Sequence, residues 1–253
     1  METRSNALLI DITKCIGCQA CEQKCKEIHG FPPEHETALS ATALTVVQER
    51  GGKFVRRQCM HCENPACVSA CPVGALTKTA QGAVRYAGGK CIGCRYCMIA
   101  CPFEVPKYEW SKLAPYVTKC DMCAERVLAG HQTLCSEVCP TGATLFGSRE
   151  DLLMEAHKRI VENPGVYVPR IYGEKEVGGT SVFYISDVPF EQLGFVEPPL
   201  NQPMPTLSAA ALGEVPTVVT IGGSLLAGLY WITQRRREVA AAESVEREQK
   251  ERS

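Results

Sequence analysis

The sequence is short of several signals at once. Its formal net charge is −1, so it lacks the basic excess with which a chain holds nucleic acid. It has no glycine-rich phosphate loop, no dinucleotide-binding turn and no nucleophile elbow. That leaves no catalytic centre to read and points away from an enzyme acting on its own. METRSNALLI has no apolar core and no cleavage site, so it is not read as an export signal. No Lys or Arg occurs between Glu176 and Gln234, and no cysteine follows Cys139.

What the chain does have is 16 cysteines, all between Cys15 and Cys139. They fall into four groups of four: Cys15, Cys18, Cys21, Cys25; Cys59, Cys62, Cys67, Cys71; Cys91, Cys94, Cys97, Cys101; and Cys120, Cys123, Cys135, Cys139. TKCIGCQAC, GKCIGCRYC and TKCDMC open three groups, and CPVGA, CPFEV and CPTGA close three. This is one small unit used four times.

The third group is C-x2-C-x2-C-x3-C followed by Pro102, the bacterial ferredoxin run for a [4Fe–4S] cluster. Three thiolates two residues apart wrap one cubane, and the fourth points away to serve a second cluster. The first group keeps this spacing with Lys26 in place of the proline. The second widens one gap to four residues and the fourth widens one to eleven. Zinc sites favour two separated C-x2-C knuckles, and a disulfide scaffold gives no reason for the repeat. All sixteen cysteines are therefore read as ligands, enough for four [4Fe–4S] clusters, and none remains as a reactive thiol.

The histidines need no role as ligands. His61 and His131 lie inside cysteine groups and could in principle act as in Rieske centres, but sixteen thiolates already fill four cubanes. Lys14, Lys90 and Lys119 each precede a group's first cysteine. They are either solvated charges or cations that raise a cluster's potential. Arg56-Arg57 is too short a basic run to interpret.

The intervening segments read as α+β. TALTVVQ and KFVRR flank Gly51-Gly52 as a hairpin. Ser148 and Asp151 open a helix whose Leu152, Ala156 and Ile160 share a face and which stops at Asn163-Pro164-Gly165. VFYIS (182–186) reads as a strand. The expected organisation is a cluster domain over 1–147, a helix and strand extension over 148–194 and a Pro-rich linker over 195–214. A transmembrane helix over 215–234 and a charged tail over 235–253 follow.

Val215–Gln234 is uncharged and long enough to span a bilayer core. Its Val, Leu and Ile residues favour insertion by about 2.5–5 kcal/mol before the polar and Gly positions are counted against it. Gly222, Gly223, Ser224, Ala227 and Gly228 offer small residues for helix packing. Tyr230-Trp231 and then Arg235-Arg236-Arg237 form an aromatic belt and a positive anchor. The positive-inside rule puts the tail in the cytoplasm and the clusters outside. A cluster domain assembled in the cytosol and lacking its own signal must cross already folded, carried by a partner.

These groups, followed by YGEKEVGGTSVFYISDVPFEQLGF and one C-terminal helix, resemble the iron–sulfur subunits of periplasm-facing respiratory complexes. The motifs RRQCMHC, GCRYCMIACPF and VCPTGA carry the likeness to subunits of membrane-bound [NiFe]-hydrogenases and respiratory formate dehydrogenases, and PFEQLGF favours the hydrogenase branch. The resemblance implies two ferredoxin-like modules related by a pseudo-twofold, the second and third groups in one and the first and fourth in the other. It implies these ligand sets: Cys15, Cys18, Cys21, Cys139; Cys120, Cys123, Cys135, Cys25; Cys59, Cys62, Cys67, Cys101; and Cys91, Cys94, Cys97, Cys71. It also implies a catalytic partner carrying the export signal and a quinone-reactive membrane partner. The rival readings are a membrane-tethered ferredoxin serving diffusible partners and the wire of a sulfur- or N-oxide reductase.

Overall fold

A computed structural model describes residues 5–110, 116–197 and 201–251. In chain order the elements are β1 (Asn6–Asp11), α1 (Ala20–His29), β2 (Val46–Arg50), β3 (Lys53–Arg57), α2 (Ala66–Ser69), β4 (Leu76–Lys78), β5 (Val84–Tyr86) and α3 (Tyr96–Ala100). Then follow β6 (Lys107–Tyr108), β7 (Val117–Thr118), α4 (Ala124–Leu128), α5 (Leu134–Glu137), β8 (Thr144–Ser148), α6 (Arg149–Glu162), β9 (Val182–Ile185) and α7 (Met204–Glu251). The class is α+β, with one long C-terminal helix.

β1 is the middle of a three-stranded sheet in the order β8-β1-β9, antiparallel to β8 and parallel to β9. Its run Ala7-Leu8-Leu9-Ile10 is buried throughout, as a strand covered on both faces requires. The two-residue period divides it. Leu8 and Ile10 join a core with Met122, Cys135 and Tyr184, while Ala7 and Leu9 meet Leu152 and Ala156 of α6. The sheet therefore backs the cysteine-bearing loops on one face and rests on α6 on the other. α6 starts as expected, Ser148 Oγ accepting from the Asp151 N–H at 3.3 Å.

Asp11, fully buried at the end of β1, fixes the entry to the first cysteine loop. It accepts from the Thr13 N–H at 3.1 Å and Tyr167 Oη at 3.0 Å, and pairs with Arg159 of α6 at 3.0 Å. One carboxylate thus ties β1, α6 and the turn before Cys15 together.

Two expected boundaries are corrected. The division at 147/148 falls inside one compact unit, Met1–Pro205, because β9 hydrogen-bonds to β1. The linker expected over 195–214 is not extended along its length. Phe195 is buried against Tyr172, Tyr184 and Phe190, and α7 already begins at Met204. Ala and Leu residues over 206–212 are strong helix formers, and Pro205 sits in the first turn, where its missing N–H costs nothing. The prolines had suggested a linker that the alanines overrule. Pro198 and Pro199 lie outside the described residues.

The second unit, 206–253, carries α7, whose 48 residues reach about 72 Å at 1.5 Å each. Within it runs the one helix among the described residues long and apolar enough to cross a membrane, and its apolar window is wholly exposed. Pro216 lies inside it, a placement membrane helices tolerate.

Candidate metal centres

The repeat in sequence is also a repeat in backbone. Each group opens on C-x-x-C, and in all four the residue before the second cysteine has φ between 49° and 72°: Gly17, His61, Gly93 and Met122. Two of these positions are glycines, for which this conformation is free; His61 and Met122 adopt it against their own preference. At the first loop a side chain is also excluded by space, because a Cβ on Gly17 would lie 2.5 Å from the Phe54 ring.

The closing motifs share a second turn. Gly74, Glu104 and Gly142, each three residues after the group's fourth cysteine, all have positive φ. The turn folds backbone N–H groups onto the sulfur; Ala75 N lies 3.2 Å from Cys71 Sγ. Burial raises the thiols of Cys71 and Cys139, but several backbone N–H donors outweigh it and hold both below the usual range. The first group lacks this turn. With Lys26 instead of proline, α1 continues to His29, and the buried ammonium is held by Glu36 Oε1 at 2.9 Å.

All sixteen cysteines are free thiols, and the fold gathers them across groups. Cys15 lies within electrostatic reach of Cys139 and Cys18, and Cys21 of Cys135, Cys15 and Cys18. Cys25 faces Cys135 and Cys123, and Cys120 faces Cys25 and Cys135. Cys62 meets Cys59, Cys67 and Cys101; Cys97 meets Cys91, Cys94 and Cys71. One cavity is lined by Cys15, Cys18, Cys21 and Cys139, and another by Cys25, Cys120, Cys123 and Cys135. Among the described residues no three His, Cys, Asp or Glu side chains converge on a single metal ion. Four thiols drawn from two runs around each chamber, spaced too widely for one ion, fit a polynuclear cluster better than zinc.

Burial drives most of these thiols upward, Cys21 to about 11 and Cys25 and Cys67 to about 12. As thiols they are neutral near pH 7; coordination would hold them as thiolates and release protons.

The surrounding charges divide in a way the sequence does not reveal. Lys14 and Lys90 are exposed, but Lys119 is buried and donates to the carbonyl oxygens of Val84 and Cys120 (2.8 Å to the latter). His131 is exposed. His61 is fully buried, its Nδ1 accepting from the Val84 N–H at 2.9 Å, so its proton sits on Nε2, which has no partner. Burial, then Lys119 and Lys78, keeps this imidazole neutral. Two further residues escaped the sequence reading. Arg56 is 2% exposed with none of its three nitrogens hydrogen-bonded, and Gln58 Nε2 is likewise buried and unpaired beside the Cys25 chamber. Their signal is the alternation Phe54, Arg56, Gln58 along one face of β3, visible only once that face is known to meet the cysteines.

Residues 51–149 match the family described as a 4Fe-4S dicluster domain. A protein of Nitratidesulfovibrio vulgaris is 43% identical over 260 residues, covering 96% of this chain and 70% of that one. The hydrogenase-2 operon protein HybA of Shigella flexneri is 39% identical over 237 residues, covering 75% and 72%. The iron–sulfur subunit of the nitrate-inducible formate dehydrogenase of Escherichia coli is 38% identical over 204 residues, covering 71% and 67%. The chain belongs to this family of ferredoxin-type electron-transfer subunits of hydrogenase and formate dehydrogenase. Iron–sulfur clusters of the [4Fe–4S] type are accordingly its cofactors.

Proposed function

We propose that this chain is the electron relay between a periplasmic catalytic subunit, a hydrogenase before a formate dehydrogenase, and a quinone-reactive subunit in the membrane. It has no catalytic site of its own. Four [4Fe–4S] clusters would supply the chemistry, each accepting and giving up one electron. The chain's residues hold, shield and space them. Cys15, Cys18, Cys21 and Cys139 form the first ligand set; Cys120, Cys123, Cys135 and Cys25 the second; Cys59, Cys62, Cys67 and Cys101 the third; Cys91, Cys94, Cys97 and Cys71 the fourth. The packing of α1 on α5 and of α2 on α3 supports an outer and an inner module related by a pseudo-twofold.

The observation that supports the reading is that cysteines assigned to different sets share apolar cores. Cys21 of the first packs in the same core as Cys135 of the second. Cys120 of the second shares a cluster with Cys59 and Cys101 of the third. Cys67 of the third shares another with Cys97, Cys91 and Cys71 of the fourth. Sets that share apolar walls suit a wire, whereas unrelated structural sites would need no such adjacency.

α7 supports a single-pass anchor in the cytoplasmic membrane, packed on lipid and on the membrane subunit. Six Lys and Arg residues follow Gln234 and none lies between Glu176 and Gln234, which favours a cytoplasmic tail and a periplasmic cluster domain. A reporter fused after Ser253 should be active only in its cytoplasmic form; activity of the periplasmic form would reverse the orientation. The relay is tested on the detergent-solubilised complex. A large catalytic subunit should co-purify, and hydrogen should reduce the clusters as read by electron paramagnetic resonance. Reduction by formate instead moves the chain to the other branch. No large partner, and no reduction by either, would refute the relay.

A further inference from the structure

Arg56 is a buried cation that no carboxylate or carbonyl oxygen of the described residues accepts from. Its backbone is anchored on both sides: Val47 is its antiparallel partner, and Tyr184 Oη donates to its carbonyl oxygen at 2.9 Å. Its side chain is 2% exposed, and Nε, Nη1 and Nη2 all lack hydrogen-bond partners. Its sequence neighbour takes the opposite course. Arg57 turns to the other face of β3, donates to the Gly194 carbonyl oxygen at 2.8 Å and lies 4.7 Å from the centre of the Phe195 ring. The strand period therefore separates a surface arginine from an internal one.

A buried guanidinium whose available acceptor is a thiol, with no carboxylate opposite it, is one of the costliest groups a fold can carry, so its surroundings are short of a strong acceptor. Those surroundings are cysteines. Arg56 lines the chamber of Cys15, Cys18, Cys21 and Cys139. Its charge also reaches Cys25 and Cys135 of the neighbouring set, and Cys135 and Cys21 act on it in turn. It lines the first chamber and its charge reaches the second, so it stands where the two adjoin.

We propose that Arg56 is a positioning residue shared by the two outer clusters, its forked N–H groups donating to sulfur on both sides and its charge setting both potentials. The inference rests on the four-cluster reading. A guanidinium presents five donors in a planar fork, enough to serve two acceptors at once. Hydrogen bonds to cluster sulfur and nearby positive charge both favour the reduced state, so removing Arg56 lowers the potential. Two centres of four should respond, and the inner pair should not.

The test is a potentiometric titration of the full-length complex, followed by electron paramagnetic resonance, in wild type, Arg56→Gln and Arg56→Lys. Arg56→Gln should shift the oxidised-to-reduced ratio of two centres at least tenfold toward oxidised, a drop of about 59 mV for one electron, with the other two unmoved. Arg56→Lys keeps the charge but loses the fork and should shift the same two by about threefold. Four unmoved centres in Arg56→Gln, or four shifted equally, overturn the role. If Arg56→Gln does not assemble the outer pair, Arg56→Lys decides: a shift confined to two centres supports the role and none overturns it. A wild type without iron–sulfur signals would overturn the four-cluster reading as well, which separates the two failures.

Discussion

Complete removal of iron should unfold residues 15–146 cooperatively while leaving α6 and α7 helical. The cysteine loops are joined by strands of two to five residues and helices mostly of four or five, too short to be stable alone. Cysteines are components of three of the four hydrophobic clusters, so sulfur ligation stands where a larger domain would place side-chain packing. Without metal, the buried thiols return to their neutral form, since burial holds Cys21 near 11 and Cys25 near 12. Arg56 then stays buried with no negative charge opposite it, a state that costs several kcal/mol. Far-UV circular dichroism during chelation should fall in one transition to the signal of α6 and α7, with protease cleavage confined to the cysteine region. A chelated protein retaining its native spectrum would show that the fold stands without its clusters.

Leu225→Arg should release the chain from the membrane or from its complex. Leu225 lies in the middle of the uncharged stretch and is 66% exposed. A mid-span arginine costs about 2.5–3.5 kcal/mol, comparable with the whole of what the Val, Leu and Ile residues contribute. The modest apolarity that makes the span sensitive comes from its glycines, threonines and Pro216. Fractionation after alkaline washing should move the variant from the membrane pellet to the supernatant. A variant that stays in the pellet would mean that partner contacts, not lipid, hold the chain.

The cysteine repeat was legible because thiol spacing is local and the loop it makes is short. The turn chemistry was only partly legible. CIGC and CPxGA announce positive φ through their glycines, but Met122 and Glu104 adopt the same conformations with side chains that give no hint of it. α6 could be read from its cap and its four-residue spacing. The parallel pairing of β1 with β9 could not, because it joins residues 8–11 to 182–185 across the whole cysteine region. Arg56 illustrates the limit most clearly. In sequence it is half of an unremarkable Arg-Arg pair, and only the face of β3 it occupies separates it from Arg57. At 204–214 the prolines at the start of α7 mask a helix that the alanines after them form.

Metal and sulfide analysis of the purified full-length protein tests the central claim most directly. Four cubane clusters require about sixteen iron and about sixteen acid-labile sulfide per chain, with no stoichiometric zinc. Reductive titration should show four one-electron [4Fe–4S] centres by electron paramagnetic resonance. About four zinc per chain with no sulfide would contradict the account and make the sixteen thiols a structural scaffold.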